Sequence, residues 1–215
     1  MTTNASKLMG LACSLKEAGL ARVNISLHSL KPDKFKEITG SSKIEEVEAG
    51  IREALRCGLT PVKLNMVVMK DVNHQEIEDL IGFSSETGAI LQLIEFQELE
   101  NGVEYYDKLH YYLVPVEEML ARRSERIVER EMHRRKIYYL RNGAQVEVVR
   151  PMHNSTFCKY CTRLRVTSDG KLKACLMRDD NHVPFVSLMR SGASHEEIVA
   201  AFKEGVRRRE PYWKD

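Results

Sequence analysis

The chain has 215 residues, 43% of them apolar, and a formal net charge of +2 from 33 basic and 31 acidic side chains. That length and composition fit one globular domain or one and a half. The near-neutral balance argues against bulk nucleic-acid binding through phosphate charge. No apolar run approaches the roughly 18 residues of a membrane span.

The opening, Met1-Thr2-Thr3-Asn4, is polar and does not read as a signal peptide. Leu8, Leu11, Ala12, Leu15 and Ala18 then keep the helical period, which predicts a helix over 5–18 stopped by Gly19. A short strand is predicted over 23–27. A second helix is predicted over 43–57, with Ile44, Val47, Ile51, Ala54 and Leu55 on one side and Gly58 ending it. A strand over 61–69 follows. Asn73 is read as the cap of the next helix, with Glu76 at the capping-box position; that helix ends at Gly88. A strand over 90–96 completes the series. Such βα units build a parallel sheet or part of a barrel, with working residues at the C-terminal strand ends. Ser26 and the Glu95-Phe96-Gln97 corner lie at or near such ends. Lys63 and Asn65 interrupt an apolar strand earlier in its course. A buried lysine needs a partner, and an anionic ligand is one candidate beside a rim lysine that reaches water.

From Asn101 the pattern changes. Tyr105, Tyr106, Tyr111 and Tyr112 lie in an irregular stretch that reads as a packed loop. Pro115 starts a short helix. Antiparallel strands are predicted over 125–131, 136–140 and 145–149, with Asn142-Gly143 as a hairpin turn. Ser194 caps a last helix with Glu197 at its third position.

The chemistry concentrates between Phe157 and Arg178. Cys158 and Cys161 form a Cys-x-x-Cys, a spacing that aims two thiolates at one metal. Residues 163–167 alternate, Ser168-Asp169-Gly170 is turn chemistry, and 171–175 alternate again, so a hairpin carries Cys175 back beside the first pair. Structural zinc takes four protein ligands; a cluster held by three thiolates leaves one iron open to substrate. His153 and His182 flank the motif as further candidate ligands. Arg163 and Arg165 point to one face by strand alternation, a pair suited to an anionic, planar-edged nucleotide or to plain solvation. Cys13 and Cys57 lie far apart on predicted helices and read as small buried apolar side chains. Five cysteines, an odd number with this motif among them, fit a reducing cytoplasm better than a disulfide framework.

This stretch resembles the radical-SAM GTP 3',8-cyclase family of molybdenum-cofactor biosynthesis (the MoaA family), whose motif is Phe-Cys-x-x-Cys-Asn-Arg-x-Arg, a turn with Asp-Gly, then a third Cys. Thr162 stands in place of the Asn. Pro151-x-His153-Asn154-Ser155 and Arg208-Arg209-Glu210-Pro211-Tyr212 look like archaeal members. The likeness runs from Thr2 to Tyr212. It implies an α/β fold: a partial, incomplete radical-SAM TIM-type barrel of βα units over 1–100, followed by a C-terminal α+β region with a cysteine hairpin over 101–215.

By the same resemblance Cys158, Cys161 and Cys175 hold a [4Fe-4S] cluster with an open iron, and Thr2, Lys63, Arg163, Leu164 and Arg165 contact GTP. Ser26 and Gln97 contact S-adenosylmethionine. Ala5 stands where Gly is usual, His28 where Asp is usual, Gln92 where many members carry an Arg on the GTP side, and Gln97 where they carry Met. The family's first cluster sits on Cys-x-x-x-Cys-x-x-Cys, which this sequence does not contain. The resemblance therefore implies that Met1 falls at the end of the third barrel strand and that this cluster, a second [4Fe-4S] beside the one at Cys158, Cys161 and Cys175, belongs only to full-length members. The implied reaction is cyclisation of GTP to the pterin precursor through a deoxyadenosyl radical, with downstream cyclic pyranopterin synthase as pathway partner. The open sheet edge implies poor behaviour alone or homodimerisation. No nucleic-acid or membrane partner is expected, and the compartment expected is the cytoplasm. Two other readings stand beside this one: a different radical-SAM relative with an auxiliary cluster, and a non-enzymatic zinc-binding module.

Overall fold

The computed structural model describes residues 1–98 and 103–214. Packing divides the chain into two compact units, Met1–Glu129 with Arg135–Arg150, and Arg130–Arg134 with Pro151–Asp215. The boundary expected between 100 and 101 lies outside the described residues. Among the described residues no helix is long and apolar enough to cross a membrane.

The first unit opens with β1 (Thr2–Thr3), α1 (Leu8–Glu17), β2 (Val23–Ser26), α2 (Pro32–Thr39), α3 (Ile44–Arg56) and β3 (Val62–Val68). It continues through α4 (Ile77–Thr87), β4 (Ile90–Glu95), α5 (Val103–Leu109), α6 (Val114–Arg123), β5 (Ser124–Glu129), β6 (Lys136–Leu140) and β7 (Gln145–Val149). These strands form one sheet in the order β1-β2-β3-β4-β7-β6-β5. The run β1-β2-β3-β4-β7 is parallel, and β6 and β5 extend it antiparallel. The three strands predicted after the βα units therefore join the same sheet.

Alternation explains the sheet's two faces. Val23, Ile25, Val62, Leu64, Met66 and Val68 are buried in one core with Leu8, Phe35, Val47, Ile51, Leu80 and Leu120 of the helices. Full burial of each such side chain contributes about 1.5–3 kcal/mol. Residues between them, Asn24, Ser26, Lys63 and Asn65, stay half-buried on the opposite face.

Several local readings need correction. The first helix begins at Leu8, because Ala5 holds a φ of +59°, left-handed backbone that explains why a glycine suits this position. Helix α2 is not among the predicted elements, although Pro32 sits in its first turn and left-handed Gly40 stops it. Tyr105 and Tyr106 lie in α5 instead of an irregular loop. Asn73 and Glu76 do not cap α4. Asn73 binds His28 O, Val67 O and Met69 N, and the Glu76 carboxylate accepts from Ser29 Oγ at 2.7 Å and Leu30 N at 3.2 Å. Burial explains the difference: both side chains satisfy loop groups that water cannot reach.

The largest correction concerns Cys13 and Cys57, which are joined by a disulfide. Helices α1 and α3 approach closely at Gly50, where an added Cβ would lie 2.9 Å from Ala5 O and 3.1 Å from Leu8 Cβ. That approach leaves the two cysteine Cα atoms 5.0 Å apart, within disulfide range. Three cysteines are free: Cys158, Cys161 and Cys175.

The second unit holds α7 (Ser155–Lys159), β8 (Arg165–Val166), β9 (Lys171–Lys173), β10 (Val183–Pro184), α8 (Val186–Arg190) and α9 (His195–Arg207). Its sheet is antiparallel in the order β10-β9-β8. Left-handed Gly170 makes the turn between β8 and β9, with Gly170 N bonded to Thr167 O at 2.9 Å. Ser194 and Glu197 form the predicted capping box of α9.

The disulfide closes a loop of 44 residues, so its loss should cost about 2–4 kcal/mol. Thermal unfolding with and without a thiol reductant checks this. The wild-type midpoint should fall on reduction and that of Cys13→Ser should not; a wild-type midpoint indifferent to reductant would show that the bond adds nothing.

Candidate metal and nucleotide site

In the first unit the register of the parallel strands sets out the half-buried face in rows. Thr2 pairs with Asn24, and Asn24 with Lys63; Ser26 pairs with Asn65, Asn65 with Gln92, and Gln92 with Glu147. Paired residues share a face. Thr2 and Lys63 thus occupy one row two strands apart, about 10 Å at the usual strand spacing. Ser26 is one row closer to the strand ends. Gln97 follows β4 by two residues and belongs to no regular element.

Lys63 does not reach for solvent. Its Nζ meets the carboxylate of Glu147, which is fully buried, and Arg135 Nη1 lies 3.3 Å from the same carboxylate. Two cations converge on one anion beside Asn65 and Gln92. The Oδ1 of Asn65 is buried and meets no donor among the described residues. Glu147 was missed in the sequence, although a lone carboxylate in Gln145-Val146-Glu147-Val148-Val149 is itself a signal, since a buried charge must be paired. Arg135 gave no comparable signal. At the next strand end the buried Glu95 faces His110 Nε2 at 3.0 Å. His28 accepts from Val67 N at 3.2 Å through Nδ1, and burial holds its pKa below the ordinary histidine value, which suits a neutral acceptor.

In the second unit the cysteines sit in three different settings. Asn154 accepts from Phe157 N at 2.9 Å and starts α7, which carries Cys158. Cys161 N bonds back to Cys158 O at 3.1 Å, the tight turn expected of a Cys-x-x-Cys. Cys175 lies two residues past the end of β9. All three are half-buried. The thiol of Cys175 is pushed up mainly by burial; a backbone hydrogen bond with Met177 opposes this, Cys158 and Cys161 add to it, and Arg165 counters it. The Arg165 guanidinium is lowered by burial first and then by Arg163, while Cys161 and Cys175 favour its charge. Arg165 is thus coupled to Arg163, Cys161 and Cys175, and Cys175 in turn to Cys158 and Cys161.

Strand alternation does not place Arg163. Strand β8 begins only at Arg165, so Arg163 is an exposed loop residue and Leu164 a half-buried one. Of the flanking histidines, His153 packs on Trp213 with ring centroids 4.0 Å apart, and His182 Nε2 lies 3.4 Å from Asp179. The segment Arg130–Arg134 braces α7 from within the same unit: His133 stacks on Phe157 at 3.9 Å and its N–H donates to Tyr160 O at 2.8 Å. Arg134 lies 4.2 Å over the Tyr160 ring.

Two known families of sequence divide the chain at a different place, inside the first unit. Residues 1–84 match the Radical SAM superfamily, and residues 89–215 match Molybdenum Cofactor Synthesis C. The chain is thus a radical-SAM protein of molybdenum cofactor biosynthesis. Over its full length it is 54% identical to a probable GTP 3',8-cyclase of Thermococcus kodakarensis, spanning 71% of that relative. It is 47% identical over 99% of its length to one of Pyrococcus horikoshii, spanning 70% of it, and 41% identical over its full length to one of Methanocaldococcus jannaschii, again spanning 70%. The chain belongs to the GTP 3',8-cyclase family.

The buried carboxylate yields a test. Glu147→Gln removes the carboxylate that Lys63 and Arg135 share and should cost about 3–5 kcal/mol. Lys63→Met should cost less, because Glu147 keeps Arg135. Denaturant unfolding of the two variants checks the order; equal losses would mean that Glu147 does not serve both cations.

Proposed function

We propose that the chain carries the substrate-holding half of a radical-SAM GTP 3',8-cyclase, with Cys158, Cys161 and Cys175 as ligands of a [4Fe-4S] cluster. The observation that supports this most is the neighbourhood of three free, half-buried thiols with Arg163 and Arg165. When bound, such a cluster offers an open iron to a donor atom of the substrate. The residues fit it: thiolates are the required ligands, and the two guanidinium groups offset the negative charge that three thiolates bring. His153 and His182 have ring or carboxylate neighbours of their own, which favours a three-thiolate set over a four-ligand zinc site.

The remaining roles follow from the same reading. Arg165, half-buried beside the thiols, offers a planar fork of donors to the nucleotide, and Arg163 adds a second; Leu164 gives apolar contact between them. Thr2 and Lys63 are the nucleotide contacts of the first unit, Lys63 from the cluster that it forms with Arg135 and Glu147. Ser26 and Gln97, at and beyond strand ends, are the S-adenosylmethionine contacts. Burial raises the thiol of Cys175, so cluster loading there releases a proton.

Anaerobic reconstitution tests the assignment. The chain should turn brown with broad visible absorption, whereas a zinc protein stays colourless. Replacing Cys158, Cys161 or Cys175 by Ala should abolish iron binding, and full iron content in Cys175→Ala would end the three-ligand assignment. Arg163→Ala should keep its iron and bind GTP about tenfold more weakly, the scale of one hydrogen bond to a charged group. Unchanged affinity in calorimetry would remove the nucleotide role.

A further inference from the structure

The end of the chain returns to the cysteine segment. Arg209 Nη2 donates to the carbonyl of Arg163 at 2.9 Å, across 46 residues of sequence. That carbonyl belongs to the irregular stretch between Cys161 and β8, which has no strand pairing of its own. Arg209 is half-buried, and its Nε is buried without an acceptor among the described residues. Neighbouring groups fix the tail that carries it. Asn181 Nδ2 bonds to Arg208 O at 3.3 Å, Glu210 faces Arg178 Nη1 at 3.5 Å, and Trp213 packs on His153 at 4.0 Å. Residues 153, 163 and 178, which these tail groups touch, bracket all three free cysteines.

We infer that Arg209 is a positioning residue for nucleotide binding: it holds the main chain at Arg163 so that the Arg163 and Arg165 side chains face the same ligand. The inference rests on the nucleotide role proposed for Arg163. The physical reason is that Arg165 is oriented by strand pairing with Lys173, whereas Arg163 precedes the strand. Arg209 supplies the missing constraint through a charge-assisted hydrogen bond, one of the stronger kinds available to a main-chain carbonyl. Its Nε is a second donor, and it is buried. A lysine can replace the first bond but not both, because it lacks the fork of donors.

The test uses the full chain, reconstituted anaerobically, with GTP affinity measured by calorimetry and iron per chain measured in parallel. Arg209→Ala should keep full iron and weaken GTP binding about tenfold. Arg209→Lys should recover part of that loss. Because Arg209 acts through Arg163, adding Arg209→Ala to Arg163→Ala should weaken binding by less than about twofold beyond Arg163→Ala alone. Wild-type affinity in Arg209→Ala, with Arg163→Ala weakened, would overturn the inference and leave the proposed function standing. Loss of iron in Arg209→Ala would also overturn it, by showing a brace for the metal loops instead. Wild-type affinity in Arg163→Ala would instead overturn the nucleotide role on which the inference rests.

Discussion

Glu147 has no contact with water, and an isolated carboxylate in that position would be too costly to remain ionised. Its presence in the middle of β7 therefore dictates what surrounds it. Lys63 must come from β3, two strands away, and Arg135 from the approach to β6. Parallel pairing of β3, β4 and β7 is what puts these groups on one face at compatible heights. A slip of one residue in β7 would turn Glu147 into the apolar core and Val146 or Val148 towards Lys63. The ion cluster thus specifies register as well as satisfying charge, and the polar row Ser26, Asn65, Gln92 and Glu147 depends on that register.

The second unit solves a different problem. Its regular elements near the cysteines are short: α7 has five residues, β8 two and β9 three. Elements of that size cannot fix three ligands by their own stability. Position comes from contacts around them instead. Asn154 starts α7, His133 and Arg134 cover Phe157 and Tyr160, and the tail from Arg209 to Trp213 reaches the residues that flank the motif. Most of these are directional contacts, hydrogen bonds and ring stacks, which suit a region with little apolar core to spare.

What was legible in the sequence followed the reach of each signal. Alternation and helical period located β3, β6, β7, α3, α4 and α6 within a few residues, because burial on one face is a local pattern. The Cys-x-x-Cys, the Asp169-Gly170 turn and the capping box at Ser194 are local too. The misses share a cause. The Cys13–Cys57 bond depends on a helix approach allowed by Gly50, and the use of Asn73 and Glu76 depends on loop groups as far away as Ser29. Neither distance appears in a local window. Arg135 lies in the polar stretch Glu131 to Lys136, and only the assembled sheet reveals that it is buried.

The departure at Gln92 is also easier to weigh with the sheet assembled. Gln92 is buried and pairs in register with Glu147, so an arginine there would bring a further cation against Lys63 and Arg135 around the same carboxylate. Like charges held close disfavour one another, and burial strengthens that penalty. A neutral amide occupies the same row without it, donating and accepting hydrogen bonds where a guanidinium could only donate. The side chain at position 92 is thus constrained by the ion cluster across the sheet, from β3 to β7, and not by its own strand alone.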